Sequence, residues 1–345
     1  MLTSALSLAL ALALITLLPK IAGVTWSDLY GRLSSVGWSQ LAWLAALWIA
    51  GLGAYTLVLT GSLPGLTKRR ALLVNCVGSG VSNLLPFGGA VGVAMTFVMT
   101  GAWGFRRQAV VVSTVVSGVW NLLARFLLPA LGLACLLGSG RVPDQRLAVA
   151  AGSGGVLLVA VSAALVAALW REEAADLLGR GLAVLPWARR FQVRERLLDL
   201  RRSTLAVTRS GWPRMTLGMV AYLGLQAVLF VGCLRATGAQ VALPEALAAF
   251  AINRVLTTAV ITPGGSGISE SATALVLIGF GVPAAAATAA VLLFWFFAHL
   301  IEIPVGWLAW TMWSQSVSGG CGGRFPGRRR AGAGAPRRSP SPGAE

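Results

Sequence analysis

The sequence predicts an all-α, polytopic membrane protein, and three observations carry that prediction. Of its 345 residues, 56% are hydrophobic and 11% are charged, against about 25% charged in a soluble domain. The apolar residues fall in runs long enough to cross a bilayer, which takes roughly 20 residues per helix. The strand-type alternation of a membrane barrel is absent, and an open sheet cannot satisfy its backbone in lipid.

The elements follow in order. Residues 2–19 form a first apolar run. With no basic n-region and no small-residue cleavage site, it reads as a retained helix rather than a signal peptide. A second span covers about 37–60 and is followed by the basic cluster Lys68–Arg70. Residues 71–101 are apolar but broken at Pro86, Gly88 and Gly89, leaving halves too short to cross. After Arg106 and Arg107 a long span covers about 108–135, and another covers about 147–170. Residues 171–214 carry ten arginines and five acids with leucines at helical spacing; they predict amphipathic helices on an anionic leaflet. A span at about 215–234 precedes a second broken segment, about 244–279, split at Pro263, Gly264 and Gly265. A last span covers about 283–312, and residues 314–345 read as a disordered basic tail. The prediction is six full transmembrane helices and two broken, re-entrant hairpins in one membrane domain, 1–313.

The net charge is +17, which would suit nucleic acid. The arginines lie between apolar runs and in the tail, however, which is the positive-inside pattern, so no nucleic-acid partner is expected. With the N-terminus cytoplasmic and each broken segment returning to its own side, Lys68–Arg70, Arg106–Arg107, residues 171–214 and the tail all fall inside. Two short full spans per broken segment give the same parity. The four cysteines, Cys76, Cys135, Cys233 and Cys321, lie far apart, and there is one histidine. Neither a zinc site, a disulfide framework nor a cofactor is expected.

The broken segments repeat one another. At an offset of 175 residues, Gly92 meets Gly267, Gly104-Phe105 meets Gly279-Phe280, Ala109 meets Ala284, Val116 meets Val291, Trp120 meets Trp295 and Pro129 meets Pro304. One hairpin enters from inside and the other from outside, so the repeats would be inverted. Inverted repeats with Gly/Pro-interrupted segments point to a transporter-like site at their interface. Two unrelated kinks in a helix bundle are the plainer alternative.

The stretches "NLLPFGGAVGVAMTFVMTGAWGF" and "TPGGSGISESATALVLIGFGVP" resemble the paired motifs of the lysylphosphatidylglycerol synthase transmembrane-region family. The resemblance covers about residues 5–312. It implies a bacterial inner-membrane protein that moves a phospholipid or lipid-linked molecule between leaflets. Family members often carry an arginine in the last helix, where this chain has Trp295. The aminoacyl-transfer domain of the full-length synthases does not follow here, so lysyl transfer is not expected.

Several polar residues stand out in this apolar context. The half-helices starting near Gly88 and Gly265 would aim free N–H groups at a phosphate, unless side chains or water satisfy them. Glu270 sits in a first turn, either as a capping residue with Ser266 as N-cap or as a group that holds a cationic headgroup or a coupling proton. Arg125 and Arg254 lie inside apolar segments and must face protein or water. They suit a lipid phosphate, or pair with Glu270 and Glu302 as structural ion pairs. His299 and Glu302 share a helix face, for proton relay or for interhelical hydrogen bonding. Asn83 and Asn121 read as interhelical bonds, and Trp38, Trp43, Trp48, Trp307, Trp310 and Trp313 as interface anchors.

The expected function is translocation of lipid, with membrane phospholipid, anionic in particular, as partner. No GxxxxGK[ST] motif is present for ATP, and no HExxH, GxSxG or aspartate-rich motif for catalysis. A lipid-modifying enzyme and a scaffold that recruits partners through the arginine-rich loop are the alternatives.

Overall fold

The computed structural model describes residues 15–85, 88–138, 193–257 and 266–321, together with Ala13, Ser153, Val156, Leu157, Val159, Ala160 and Ala163. Most of the first apolar run, the span at 147–170, residues 171–192, the breaks at Pro86 and at Pro263-Gly264-Gly265, and the tail from residue 322 lie outside the described residues.

All regular structure among the described residues is helical. The elements are α1 (Trp26–Ser34), α2 (Trp38–Ser62), α3 (Lys68–Leu84), α4 (Gly88–Ala102), α5 (Arg107–Gly138), α6 (Val193–Ala236), α7 (Leu243–Leu256), α8 (Ile268–Gly279), α9 (Ala284–Trp295), a π-turn (Phe296–Leu300) and α10 (Glu302–Cys321). Four rods are long and apolar enough to cross a membrane: α2, α5, α6 from Arg201, and the run from Ala284 to Val317. These are four of the six predicted spans.

Caps set where the helices begin. In α1 the Thr25 hydroxyl accepts from the Asp28 amide, and the Asp28 carboxylate accepts from the Thr25 amide at 3.0 Å. Gln40 returns to the Gly37 amide to start α2, and Glu245 to the Ala242 amide to start α7. Each closes one of the donors that a helix start leaves open. The α1 helix was not foreseen, although Thr25-x-x-Asp28 is a capping signature.

Three boundaries differ from the sequence prediction. Residues 193–214 are not a separate helix; they are continuous with the next span in the 44-residue α6. The reason is packing: Gly211 meets the backbone of Gly61, and Met215 is fully buried against α2, so the end of the basic stretch is held against α2 in line with the span. The last rod runs to Cys321 rather than giving way to tail at residue 314. It also contains a π-turn before Glu302.

The broken segments are pairs of short helices. In the first, Gly88 lies against the Ser82 backbone and Gly92 against the Gly78 carbonyl, so α3 and α4 pack antiparallel as a hairpin. A Cβ at Gly88 would come within 2.6 Å of that backbone, which only glycine avoids. In the second, the Asn253 amide donates to the Thr273 hydroxyl across α7 and α8 at 3.2 Å. The four helices have 17, 15, 14 and 12 residues. At 1.5 Å per residue the longest reaches only about 26 Å, short of a roughly 30 Å hydrocarbon core.

The longest interface is between α2 and α6, which run antiparallel with Gly51, Gly61, Gly218 and Gly232 on the contact. On one side α3 packs on α10, where Gly306 meets the Cys76 carbonyl and Gly80 meets the Glu302 carbonyl. On the other, α7 packs on α5, where Gly132 meets Ala248 and Ala251. These two interfaces correspond at the 175-residue offset, since Cys76 becomes Ala251 and Gly132 falls one residue from the counterpart of Gly306. Left-handed glycines stand before the corresponding helices, though 173 and 177 residues apart rather than 175: Gly65 and Gly238 precede α3 and α7, and Gly104 and Gly281 precede α5 and α9.

Candidate functional site

The site lies where α5 and α7 cross beside the α2–α6 pair. In α7, Arg254 is half-buried and is oriented from two directions. Its guanidinium lies over the rings of Phe250 and Phe294, 5.3 Å from each centroid. Its Nη2 donates to the Oε1 of buried Gln226 on α6 at 3.1 Å. Both rings are packed edge-to-face against Phe230 or each other, so the cation is held by stacking. Its Nε is buried and has no hydrogen-bond acceptor.

Arg125 on α5 lies close enough to Arg254 for the two positive charges to interact. Around Arg125 stand Tyr55 of α2 and Tyr222 of α6, whose rings meet edge-on at 5.2 Å. The Tyr55 hydroxyl accepts from the Asn121 amide at 2.7 Å, and that amide also donates to the Ser117 carbonyl. Arg125 thus lies within electrostatic range of Arg254 and of both phenols, groups that come from four helices. Among the described residues neither arginine has a carboxylate at ion-pair distance, which differs from the expected pairing with Glu270 and Glu302.

The acids are engaged elsewhere. Glu270 is 1% exposed; its carboxylate accepts from the Gly267 amide and, at 2.9 Å, from the Ser269 hydroxyl. Its capping role is therefore observed, but the N-cap is Gly267, at φ 91°, and not Ser266. The Ser266 hydroxyl instead accepts from the Trp295 indole at 3.1 Å. Glu302 is buried in the α3–α10 seam, where Asn83 donates to its Oε2 at 2.9 Å and to the His299 carbonyl at 3.4 Å. Both acids lie within electrostatic reach of Arg254 without touching it. His299 is buried in the π-turn; the geometry places it with Asn83 and Glu302.

The two half-helix starts are unequal. The α8 start is occupied by its own carboxylate, Glu270, so it offers little to another anion. The α4 start has no acid in its first turn. Gly88 is buried while Gly89 is exposed with open space beside it. Gly264 and Gly265, expected at the second site, lie outside the described residues, as do Pro86 and Pro263.

The sequence reading missed Tyr55, Tyr222 and Gln226. The available signal was that the chain has only three tyrosines, two of them inside apolar runs, where a hydroxyl requires a partner. Trp48 and Trp313 are not interface anchors but are buried at 6% and 7% exposure; Trp38, Trp43 and Trp307 are exposed, as anchors should be. Cys76 and Cys233 are buried free thiols that act as small apolar residues.

No match is found among the curated proteins. The family model described as the lysylphosphatidylglycerol synthase TM region matches residues 4–306. That span, with its apolar crossing helices, makes this chain an integral membrane protein belonging to the lysylphosphatidylglycerol synthase transmembrane-region family.

Proposed function

We propose that the protein moves a phospholipid or lipid-linked molecule between leaflets, holding the headgroup phosphate between Arg125 and Arg254. One observation carries this reading: two like charges lie within electrostatic range of each other, and neither has an ion-pair partner among the described residues. Isolated cations inside a membrane domain are expensive, and their repulsion is relieved when an anion lies between them. Guanidinium geometry matches phosphate, and the phenols of Tyr55 and Tyr222 add donors.

The wider architecture supports the same reading. The paired interfaces, α3 on α10 and α7 on α5, are what two halves related by an in-plane two-fold axis would make. Antiparallel α2 and α6 would lie beside that axis. We read α3–α4 and α7–α8 as re-entrant hairpins and the arginines as facing the path between the halves. In this topology Lys68–Arg70 is cytoplasmic in a bacterial inner membrane, as are both termini.

Photo-crosslinking tests the headgroup position. Benzoylphenylalanine in place of Tyr222 should capture phospholipid in the wild-type background and lose most of that capture in R125Q/R254Q. Equal capture in both backgrounds would remove the arginines from the lipid site.

A further inference from the structure

A second site lies away from the arginines. At the end of the bundle opposite Lys68–Arg70, a groove of about 410 Å³ opens between the start of α2, the end of α6 and the start of α7. Its polarity is graded along its length. Arg235 on the last turn of α6 and Gln40 on the first turn of α2 line its rim. Deeper on the same helices come Val231 and Val228, then Trp43 of α2 and Leu247 of α7. From Arg235 to Val228 the α6 face descends about 10 Å at 1.5 Å per residue. The floor is closed where Gly232 packs on Leu44.

Arg235 is exposed, and its side chain makes no hydrogen bond or ion pair among the described residues. The acid on the neighbouring helix start, Glu245, accepts from the Ala242 amide. Arg235 is also the penultimate residue of a helix long and apolar enough to cross a membrane, Arg201–Ala236, and in the proposed topology it lies at headgroup depth. The exposed indole of Trp38, at the start of α2, marks the same level.

We infer that this groove is a binding site for an anionic glycerophospholipid, with its phosphate on Arg235 and one acyl chain laid along Val231, Val228 and Trp43. A free anion would use the rim alone; a neutral apolar ligand would leave the arginine without a partner. The amphiphile that meets both is the lipid of the surrounding leaflet. Binding here stands independently of whether the protein transports lipid.

Trp43 lines the groove and reports on it directly. The full chain is reconstituted in bilayers containing phosphatidylglycerol or phosphatidylcholine with brominated acyl chains. The Trp43 signal is taken as the fluorescence difference between wild type and W43F. Brominated phosphatidylglycerol should quench that component at about fivefold lower mole fraction than phosphatidylcholine, a preference of the size one basic residue gives at a lipid surface. R235Q should abolish the preference and R235K keep it, while V228W, which fills the groove, should weaken quenching by both lipids. Arg235 and Val228 are exposed, so these variants should fold. Equal quenching by the two lipids, or an undiminished preference in R235Q, would overturn the inference.

Discussion

Asn83 and Asn121 show how the same residue type carries different weight in different places. Asn121 donates to a phenol, an ordinary interhelical bond of the kind worth on average about 0.6 kcal/mol in a membrane. Asn83 donates to a buried carboxyl group, and losing a donor to a buried acid costs roughly 1–3 kcal/mol. N83A should therefore lower thermal stability in detergent more than N121A does; the reverse order would mean that Glu302 draws its stability from elsewhere. Outside the spans, the Thr25 hydroxyl and amide hold the Asp28 carboxyl below its usual range. A depressed folded-state value means that the stabilisation is present above the unfolded pKa of about 3.9 and is lost as pH falls through the lower folded value. Amide exchange at the start of α1 should accelerate across that acidic window, and D28N should remove the pH dependence. Arg125, Arg254 and Glu270 were legible as unusual from composition alone, because charge is rare in apolar runs. Their partners were not: Gln226, Phe250 and Phe294 sit on other helices, and no spacing rule connects them to residue 254.

The seams between helices depend on glycine. A methyl group on Gly306 would come within 2.6 Å of the Cys76 carbonyl, and one on Gly80 within 2.9 Å of the Glu302 carbonyl. Both obstacles are backbone, so the helices must move apart. G306A and G80A should each cost about 1–3 kcal/mol, the range for overpacking. Gly118, on α5, has nothing within 4 Å, and G118A should be neutral or stabilising by up to about 1 kcal/mol, the helix preference for alanine. Melting temperatures of the three variants separate the cases, and equal effects would contradict the seam assignment. The sequence showed helices and breaks well, because apolar run length and Pro-Gly pairs are local signals. It misplaced the start of α6, because whether a basic stretch is separate from the next helix or continuous with it is decided by Gly211 and Met215 packing on a helix about 150 residues earlier. The π-turn was also hidden, since no residue pattern in Phe296–Leu300 marks it.

For the whole molecule, the 175-residue offset is legible as scattered identities, and two interfaces fall at nearly the same offset. Cys76 on Gly306 and Ala251 on Gly132 are contacts between unlike residues that occupy like places. In the proposed inverted repeat, two conformations of similar energy would open the path between the halves first to one leaflet and then to the other. The most direct measurement of the account is the rate at which labelled phospholipid changes leaflet in vesicles containing the purified protein, read by chemical quenching of the outer-leaflet label. Wild type should accelerate movement over protein-free vesicles. R125Q and R254Q should each slow it about tenfold or more, as loss of a charge-assisted bond of roughly 1.5–3 kcal/mol requires, with reconstitution unchanged. Transfer at the wild-type rate in the double variant would contradict the account.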